Sequence, residues 1–225
     1  MTTSMTLNCI MPQIWHLNFS NSYDLALHFF RFQEFYESPS VKKQKIQLID
    51  LMENYSQKNG DGSFTYTKDW AGFNLPAEKI FELHKKGISD KNRYDEMMLG
   101  LAKFIRAKEG GSEDFYIIGT SDDDEEKEIT FNHELAHGLF FIDEKYKDKT
   151  TALVEALPKK TKNFLFKKLR ECGYDDDVLI DETQAYMSTG LFDSFDTPAV
   201  RKEIEPFVTL FNKHAGRLKK RVKSK

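Results

Sequence analysis

The chain has 225 residues, of which 40% are hydrophobic and 31% are charged, so it can form a substantial core beneath a solvated surface. No apolar stretch approaches the roughly 20 residues needed to cross a bilayer, and the N-terminus lacks the basic and apolar regions of a standard secretory signal. These features argue against a transmembrane segment and predict a cytoplasmic protein, although a non-standard export route would leave no such trace.

Charge is distributed unevenly along the chain. The formal net charge is −3, yet the last nine residues, 217–225, contain six Lys or Arg and no acid. The acidic remainder is unlike a nucleic-acid-binding surface, so no nucleic-acid partner is predicted, and the basic tail is interpreted as a solvated end. A role for the tail in localisation, or in binding an anionic partner or a membrane surface, is the alternative. Cys9 and Cys172 are too few for a disulfide framework or a Cys-rich metal site.

The first half of the chain shows mainly helical patterns separated by short joins. A short strand is predicted from Ser63 to Lys68, and residues Asp69 to Pro76 are interpreted as an ordered loop that leads into a helix. The other helices predicted here cover about 23–36, 40–57 and 90–107.

The second half begins with strand patterns and continues as helices. Strands are predicted at Phe115–Ile118 and Glu126–Ile129, and the acidic turn between them suggests an antiparallel hairpin. The predicted fold class is therefore α+β, mainly α, with a small antiparallel sheet. A single domain is expected over residues 1–216, with an N-terminal helical part of about 1–110 and a catalytic part of about 111–216. Helices are predicted at about 130–141, 151–157, 161–171, 178–189 and 197–214.

The segment His133-Glu134-Leu135-Ala136-His137 carries the strongest chemical signal. Histidines four positions apart project from one face of a helix, one turn apart, and can reach a single tetrahedral metal ion. Glu134 lies about 100° further round the helix, where it can accept a proton from a water molecule without being a ligand. The residues around the motif are uncharged, which predicts a buried helix. The alternative is an ordinary buried helix whose histidines are satisfied by hydrogen bonds.

Over ten residues, Thr130 to Leu139, the chain resembles the extended HExxH signature of zinc metallopeptidases. The resemblance implies a zincin-like fold, in which a sheet precedes the motif helix and its edge strand lines the substrate cleft. It also implies one Zn²⁺ ion, with His133 and His137 as ligands and Glu134 as general base and acid.

A catalytic zinc ion needs a third protein ligand. Metzincins place it six residues after the second histidine, where this chain has Asp143, but Phe140 replaces the turn glycine of that family. Gluzincins instead use a glutamate from a later helix, followed three positions on by a small residue, and Glu182 and Ala185 have that spacing. Glu182 is therefore the preferred third ligand. The alternative is that Glu182 faces water in the first turn of its helix.

Sites of this type usually add a donor for the oxyanion and a hydrogen-bond partner for a ligand histidine. Tyr186 lies one turn after Glu182 and is the first candidate for the donor, followed by His214 and Tyr146. Asp181 is a candidate partner for a ligand histidine, although the sequence does not distinguish it from other acids.

The sequence thus predicts a zinc metallopeptidase of the gluzincin type, a hydrolase that acts on a peptide or protein substrate. A non-catalytic binding protein on a peptidase-like scaffold is one alternative, and a zinc hydrolase of a non-peptide bond is another. The acidic runs 122–126 and 175–177 lack the spacing of a calcium-binding EF-hand loop and are interpreted as solvated turns. The sequence gives no oligomeric state.

Overall fold

A computed structural model of the chain describes residues 4–37, 47–58, 62–190 and 193–222, without the side chains of Lys58 and residues 217–222. The chain divides into two compact units, one of residues 1–9 and 13–127 and one of residues 10–12 and 128–225. The sequence pattern changes near residue 110, whereas the division between the units falls after residue 127. In the described part of the chain, no helix is both long and apolar enough to cross a membrane.

A small mixed sheet forms within the described residues. Its strands are β1 (Met5–Met11), β2 (Ile14–Phe19), β3 (Phe73–Pro76) and β4 (Tyr116–Ser121), in the spatial order β1-β2-β4-β3. β2 pairs with β4 in parallel, with Ile14 opposite Tyr116, whereas β3 pairs with β4 antiparallel. The mainly helical α+β class is confirmed, but the prediction of an antiparallel sheet is wrong because β4 lies beside a parallel partner about 100 residues earlier in the chain.

β4 is the buried strand on which helix α1 (Ser22–Glu37) packs. All six residues of β4 are buried. A Cβ atom added to Gly119 would lie 2.6 Å from Cε2 of Phe29 and 2.7 Å from Cδ1 of Leu25, both on α1. Glycine is therefore what allows this helix to approach the strand so closely.

The predicted strand Glu126–Ile129 is wrong, because helix α6 (Lys127–Ile142) begins there. The side chain of Asp124 accepts a hydrogen bond from the backbone N–H of Glu126 at 2.9 Å, just before the helix begins. Glu128 lies in the first turn, where a negative charge is favoured by the helix dipole. The acidic run thus begins a helix, and the predicted hairpin is replaced by the pairing of β4 with β2 and β3.

The predictions for residues 63–76 are also wrong in part. Helix α3 (Tyr66–Asp69) occupies the second half of the predicted strand, and β3 occupies the end of the predicted loop. Hydrogen bonds from Thr65 and Tyr55 to the Asp69 carboxylate, at 2.5 and 2.7 Å, stabilise the helical turn. These tertiary contacts override the alternating pattern.

Most predicted helices of the first unit are confirmed. They are α1, α2 (Leu48–Lys58), α4 (Ala77–Lys86) and α5 (Arg93–Lys108). Residues 40–46 of the second predicted helix lie outside the described residues. The β1–β2 pair was not predicted, since four of the six residues of β2 are buried and the strand shows no simple alternation.

The second unit consists mainly of helices around α9. The predicted helix at 197–214 is two helices, α10 and α11. The other helices match their predictions, except that α7 begins at Glu144 and not at about residue 151. Helix α9 contacts α7, α8 and α11, so residues on it are held from several sides. The helices are α6, α7 (Glu144–Ala156), α8 (Lys159–Glu171), α9 (Leu179–Thr189), α10 (Pro198–Arg201) and α11 (Glu205–Val222).

The core of this unit is formed by apolar side chains from α7 to α11. It includes Val154, Leu165, Leu169, Met187 and Phe207, each at most 2% exposed. The basic side chains of 217–225 lie outside the described residues, so the interpretation of the tail stays a prediction. The apolar core fixes α9 in a packed bundle of helices, and α9 contributes residues to the candidate metal centre.

Candidate metal centre

His133 and His137 lie one turn apart on the buried helix α6. Leu135, Ala136 and Leu139 on the same helix are fully buried, which fixes the helix in the unit. The Nε2 atoms of the two imidazoles are 3.2 Å apart. Two ring nitrogens at this distance require either a shared proton or a common cation, because two lone pairs facing each other repel.

Glu182 on α9 completes the group. Its Oε1 atom lies 3.6 Å from Nε2 of His137, and its Oε2 atom lies 3.7 Å from Nε2 of His133. One ligand atom from each of the three residues lies within 4.8 Å of the other two, and the group could hold a metal ion. We refer to His133, His137 and Glu182 as the metal-ligand group.

The distances in the metal-ligand group suit a small tetrahedral ion. Ligand atoms about 2.1 Å from a tetrahedral zinc ion lie about 3.4 Å from one another. The two imidazole nitrogens lie 3.2 Å apart, and each lies 3.6 or 3.7 Å from a different oxygen of Glu182, so the three side chains approach that spacing. Within the described residues, Oε2 of Glu182 is buried and has no hydrogen-bond partner. A buried carboxylate oxygen without a donor is costly, and a bound cation would remove that cost.

Asp181 contacts Nδ1 of His137, the ring nitrogen that does not face the metal-ligand group. The Nδ1 atom of His137 lies 3.0 Å from Oδ1 of Asp181, so His137 donates a proton there and directs Nε2 into the metal-ligand group. Burial opposes the charged form of the imidazole, but Asp181 and Glu182 outweigh it and raise the pKa of His137 to about 10. The carboxylates around His137 therefore favour a positive charge at this site.

Glu134 is buried beside the metal-ligand group, with 6% of its surface exposed. Its charge contributes to the raised pKa values of both His137 and Tyr186, which places the carboxylate near both side chains. Glu134 thus adds a third carboxylate, after those of Asp181 and Glu182, to the surroundings of His137.

Tyr186 lies against His133, with the two ring centroids 4.5 Å apart. Burial raises the pKa of Tyr186, and the charge of Glu182 adds to the effect, so the hydroxyl stays protonated and able to donate. Its oxygen lies 3.2 Å from the hydroxyl oxygen of Tyr174. Sequence analysis missed Tyr174, because it lies in the loop before α9, where no helical spacing relates it to the motif.

The other three candidates are engaged away from the metal-ligand group. Asp143 begins α7, where its carboxylate accepts hydrogen bonds from the backbone N–H of Tyr146 at 3.1 Å and from Nδ1 of His214 at 2.7 Å. The hydroxyl of Tyr146 donates to Oε1 of Gln184 at 2.7 Å. The structure thus brings together His133, His137 and Glu182, with Asp181, Glu134 and Tyr186 around them, and it does not bring Asp143, His214 or Tyr146 into the group.

Comparisons with protein-family models, with curated proteins and with solved structures found no match. The functional argument therefore depends on the residues of the site itself.

Proposed function

We propose that the protein is a zinc-dependent peptidase of the gluzincin type, with a zincin-like arrangement around α6. The observation that carries the proposal is the convergence of His133, His137 and Glu182 from two helices, with a carboxylate oxygen of Glu182 buried and unpartnered among the described residues. Around them lie an acidic partner for His137, a buried glutamate and a buried tyrosine. These are the parts that hydrolysis by an activated water requires.

Zinc is the metal that best suits the donor set. Two imidazole nitrogens and one carboxylate oxygen form a small, borderline-soft site, whereas calcium and magnesium prefer six or more oxygen donors. When bound, a zinc ion supplies a Lewis acid that acidifies water and polarises a carbonyl oxygen. Three protein ligands leave one position of a tetrahedral ion for that chemistry.

The residues of the chain have separate tasks in this proposal. Glu134 accepts a proton from the attacking water and returns it to the amine nitrogen of the leaving peptide, so that no net proton is consumed. Tyr186 donates a hydrogen bond to the oxyanion that forms on the carbonyl oxygen, and its raised pKa keeps the proton available. Asp181 orients His137 through the 3.0 Å contact. The substrate class we propose is a peptide or protein.

Zinc analysis of the purified protein, combined with cleavage of a peptide library by a Glu134→Gln variant, tests the proposal. We expect one zinc ion per chain in both proteins. Loss of the general base should lower cleavage by about 10²–10⁴-fold. Glu128→Gln is the matched control, because Glu128 is exposed on the first turn of the same helix and its loss should leave cleavage unchanged.

Three results would contradict all or part of the proposal. A protein that binds no zinc cannot use the metal-ligand group as proposed. Cleavage that is equal in the wild-type protein and in Glu134→Gln would show that the activity arises elsewhere. A protein that binds zinc but cleaves no peptide in the library would support the metal site and reject the peptidase.

A further inference from the structure

A chain of buried hydrogen bonds leads from the metal-ligand group into the core of the second unit. Oδ1 of Asp181 accepts from Nδ1 of His137 at 3.0 Å and also from Nε2 of Gln184 at 2.9 Å. Oε1 of Gln184 accepts from the hydroxyl of Tyr146 at 2.7 Å. Gln184 and Tyr146 are both fully buried. Three helices, α6, α9 and α7, are thus joined through one carboxylate and one amide.

The chemistry of these groups fixes the direction of each hydrogen bond. Asp181 is a carboxylate that can only accept, so the amide of Gln184 must turn its nitrogen towards it. The amide oxygen then faces Tyr146, whose hydroxyl must donate. A flipped amide would place its oxygen against the carboxylate oxygen, with no proton between them. The carboxylate of Asp181 thus sets the orientation of the amide, and the hydroxyl of Tyr146 anchors the amide there by donating to its oxygen.

Asp181 needs this support because its side chain is only partly buried. About a fifth of its side-chain surface is exposed (21%), whereas His137 is 3% exposed. Water can compete for an exposed carboxylate, and without a second anchor Asp181 is free to turn towards solvent. Gln184 supplies that anchor by donating a hydrogen bond to Oδ1 of Asp181, the same oxygen that accepts a hydrogen bond from His137.

We infer that Gln184 and Tyr146 are positioning residues of the metal centre, acting through Asp181 to fix the ring of His137 with Nε2 towards the metal. The inference rests on the proposed function only in requiring that the metal-ligand group binds a metal. Gln184 and Tyr146 would then contribute to metal affinity as well as to the packing of the core. Outer partners of ligand histidines commonly change metal affinity when they are removed.

The test compares zinc affinity, measured by competition with a chelator, in three variants. Gln184→Met keeps the length of the side chain but cannot donate to Asp181, and we expect it to weaken zinc binding on the order of tenfold. The bands of the cobalt-substituted protein should shift, because the orientation of His137 changes. Ser188→Ala is the control: its hydroxyl lies 3.5 Å from that of Tyr146 in the same buried region, but among the described residues it bonds neither Gln184 nor Asp181 directly. Its zinc affinity should stay at the wild-type value.

A double variant, Gln184→Met with Tyr146→Phe, separates positioning from general stability. It removes the Tyr146 hydroxyl, which in the single variant loses Gln184 and keeps only the long 3.5 Å contact with Ser188, so the melting temperature of the metal-free protein should rise above that of Gln184→Met. Zinc affinity should stay low, because Asp181 still lacks its anchor. Wild-type affinity in Gln184→Met, or a return to wild-type affinity in the double variant, would overturn the inference.

The outcomes distinguish the inference from the proposed peptidase. Weakened zinc binding in Gln184→Met, in a protein that cleaves no peptide, supports the positioning role and rejects the peptidase. Glu134-dependent cleavage with unchanged zinc binding in Gln184→Met does the reverse. A wild-type protein that binds no zinc overturns both.

Discussion

Each unit of the protein contains a cluster of charged side chains around at least one buried charged or polar group, and the two clusters differ in how their polar atoms are used. In the first unit, Arg31 donates from Nε to Asp95 at 3.0 Å and from Nη1 to Asp90 at 2.8 Å. The remaining carboxylate oxygens accept from the backbone N–H groups of Asn92 and Leu48, at 2.9 and 2.6 Å. Each carboxylate oxygen of this ion-pair cluster has a donor.

The metal-ligand group of the second unit is arranged differently. Its two imidazole nitrogens face each other at 3.2 Å, and Oε2 of Glu182 has no donor among the described residues. A charge cluster in which every polar atom has a hydrogen-bond partner stabilises the fold. A cluster whose polar atoms face a common point and lack such partners suits a bound ligand. The contrast separates a structural use of buried charge from a chemical one.

The largest effect we expect comes from breaking the ion-pair cluster. Arg31→Met should lower the free energy of unfolding by about 3–5 kcal/mol, because two carboxylates lose the buried cation that they share. The exposed Arg93 is the matched control, and Arg93→Met should change stability little. Denaturant unfolding measures both, and zinc content should be unchanged. Loss of zinc in a folded Arg31→Met protein would show that the two clusters are not separate in function.

Removing a ligand should produce the next largest effect. Glu182→Ala should weaken zinc binding on the order of a hundredfold, about 2.7 kcal/mol, while the metal-free protein stays folded. Asp143→Ala is the control, since Asp143 is the alternative ligand suggested by sequence. Chelator competition on both variants decides between them. If Asp143→Ala loses zinc and Glu182→Ala keeps it, the gluzincin assignment is wrong.

A smaller effect should appear in the dependence of stability on pH, because the pKa values of the buried histidines in the two units shift in opposite directions. Burial, with help from Lys127, lowers the pKa of His16 to about 4, whereas carboxylates raise that of His137. His16 is thus neutral in the folded protein, while an unfolded histidine takes up a proton near pH 6.5. The unfolded state therefore gains protons first as the pH falls, and stability should decrease by about 1–2 kcal/mol between pH 7 and pH 4.5.

His16→Gln tests this pH dependence in the metal-free protein. Glutamine does not titrate, so part of the slope of stability against pH should disappear in the variant. Urea unfolding at several pH values measures the slope. An identical slope in the wild-type protein and the variant would mean that folding does not lower the pKa of His16.

The sequence predicted the helices and the metal-ligand group because both follow local spacing. Histidines four apart on a helix face one way whatever surrounds them. Glu182 lies on another helix, and it was predicted only from the resemblance of its spacing with Ala185 to that of gluzincins. Asp181 and Gln184 are three apart on α9, so the contact between them was readable in principle. The contact of Gln184 with Tyr146 was not, because it joins two helices.

The missed strands show where local pattern fails. β2 pairs with β4 across about 100 residues, and its register, with Ile14 opposite Tyr116, depends on chain topology rather than on neighbouring residues. The acidic run before α6 fits a turn or a helix start equally well, and the choice depends on the bond between Asp124 and the backbone of Glu126. Tertiary contacts decide both cases.

Helix α9 carries Asp181, Glu182, Gln184 and Tyr186 within two turns. An insertion of one residue inside α9, between Leu179 and Asp181, would rotate the residues after it by about 100° relative to the start of the helix and would move all four side chains together. What the chain must preserve is therefore the phase of one helix, and a single inserted residue within α9 would displace the four side chains of the site in one step without replacing any of them.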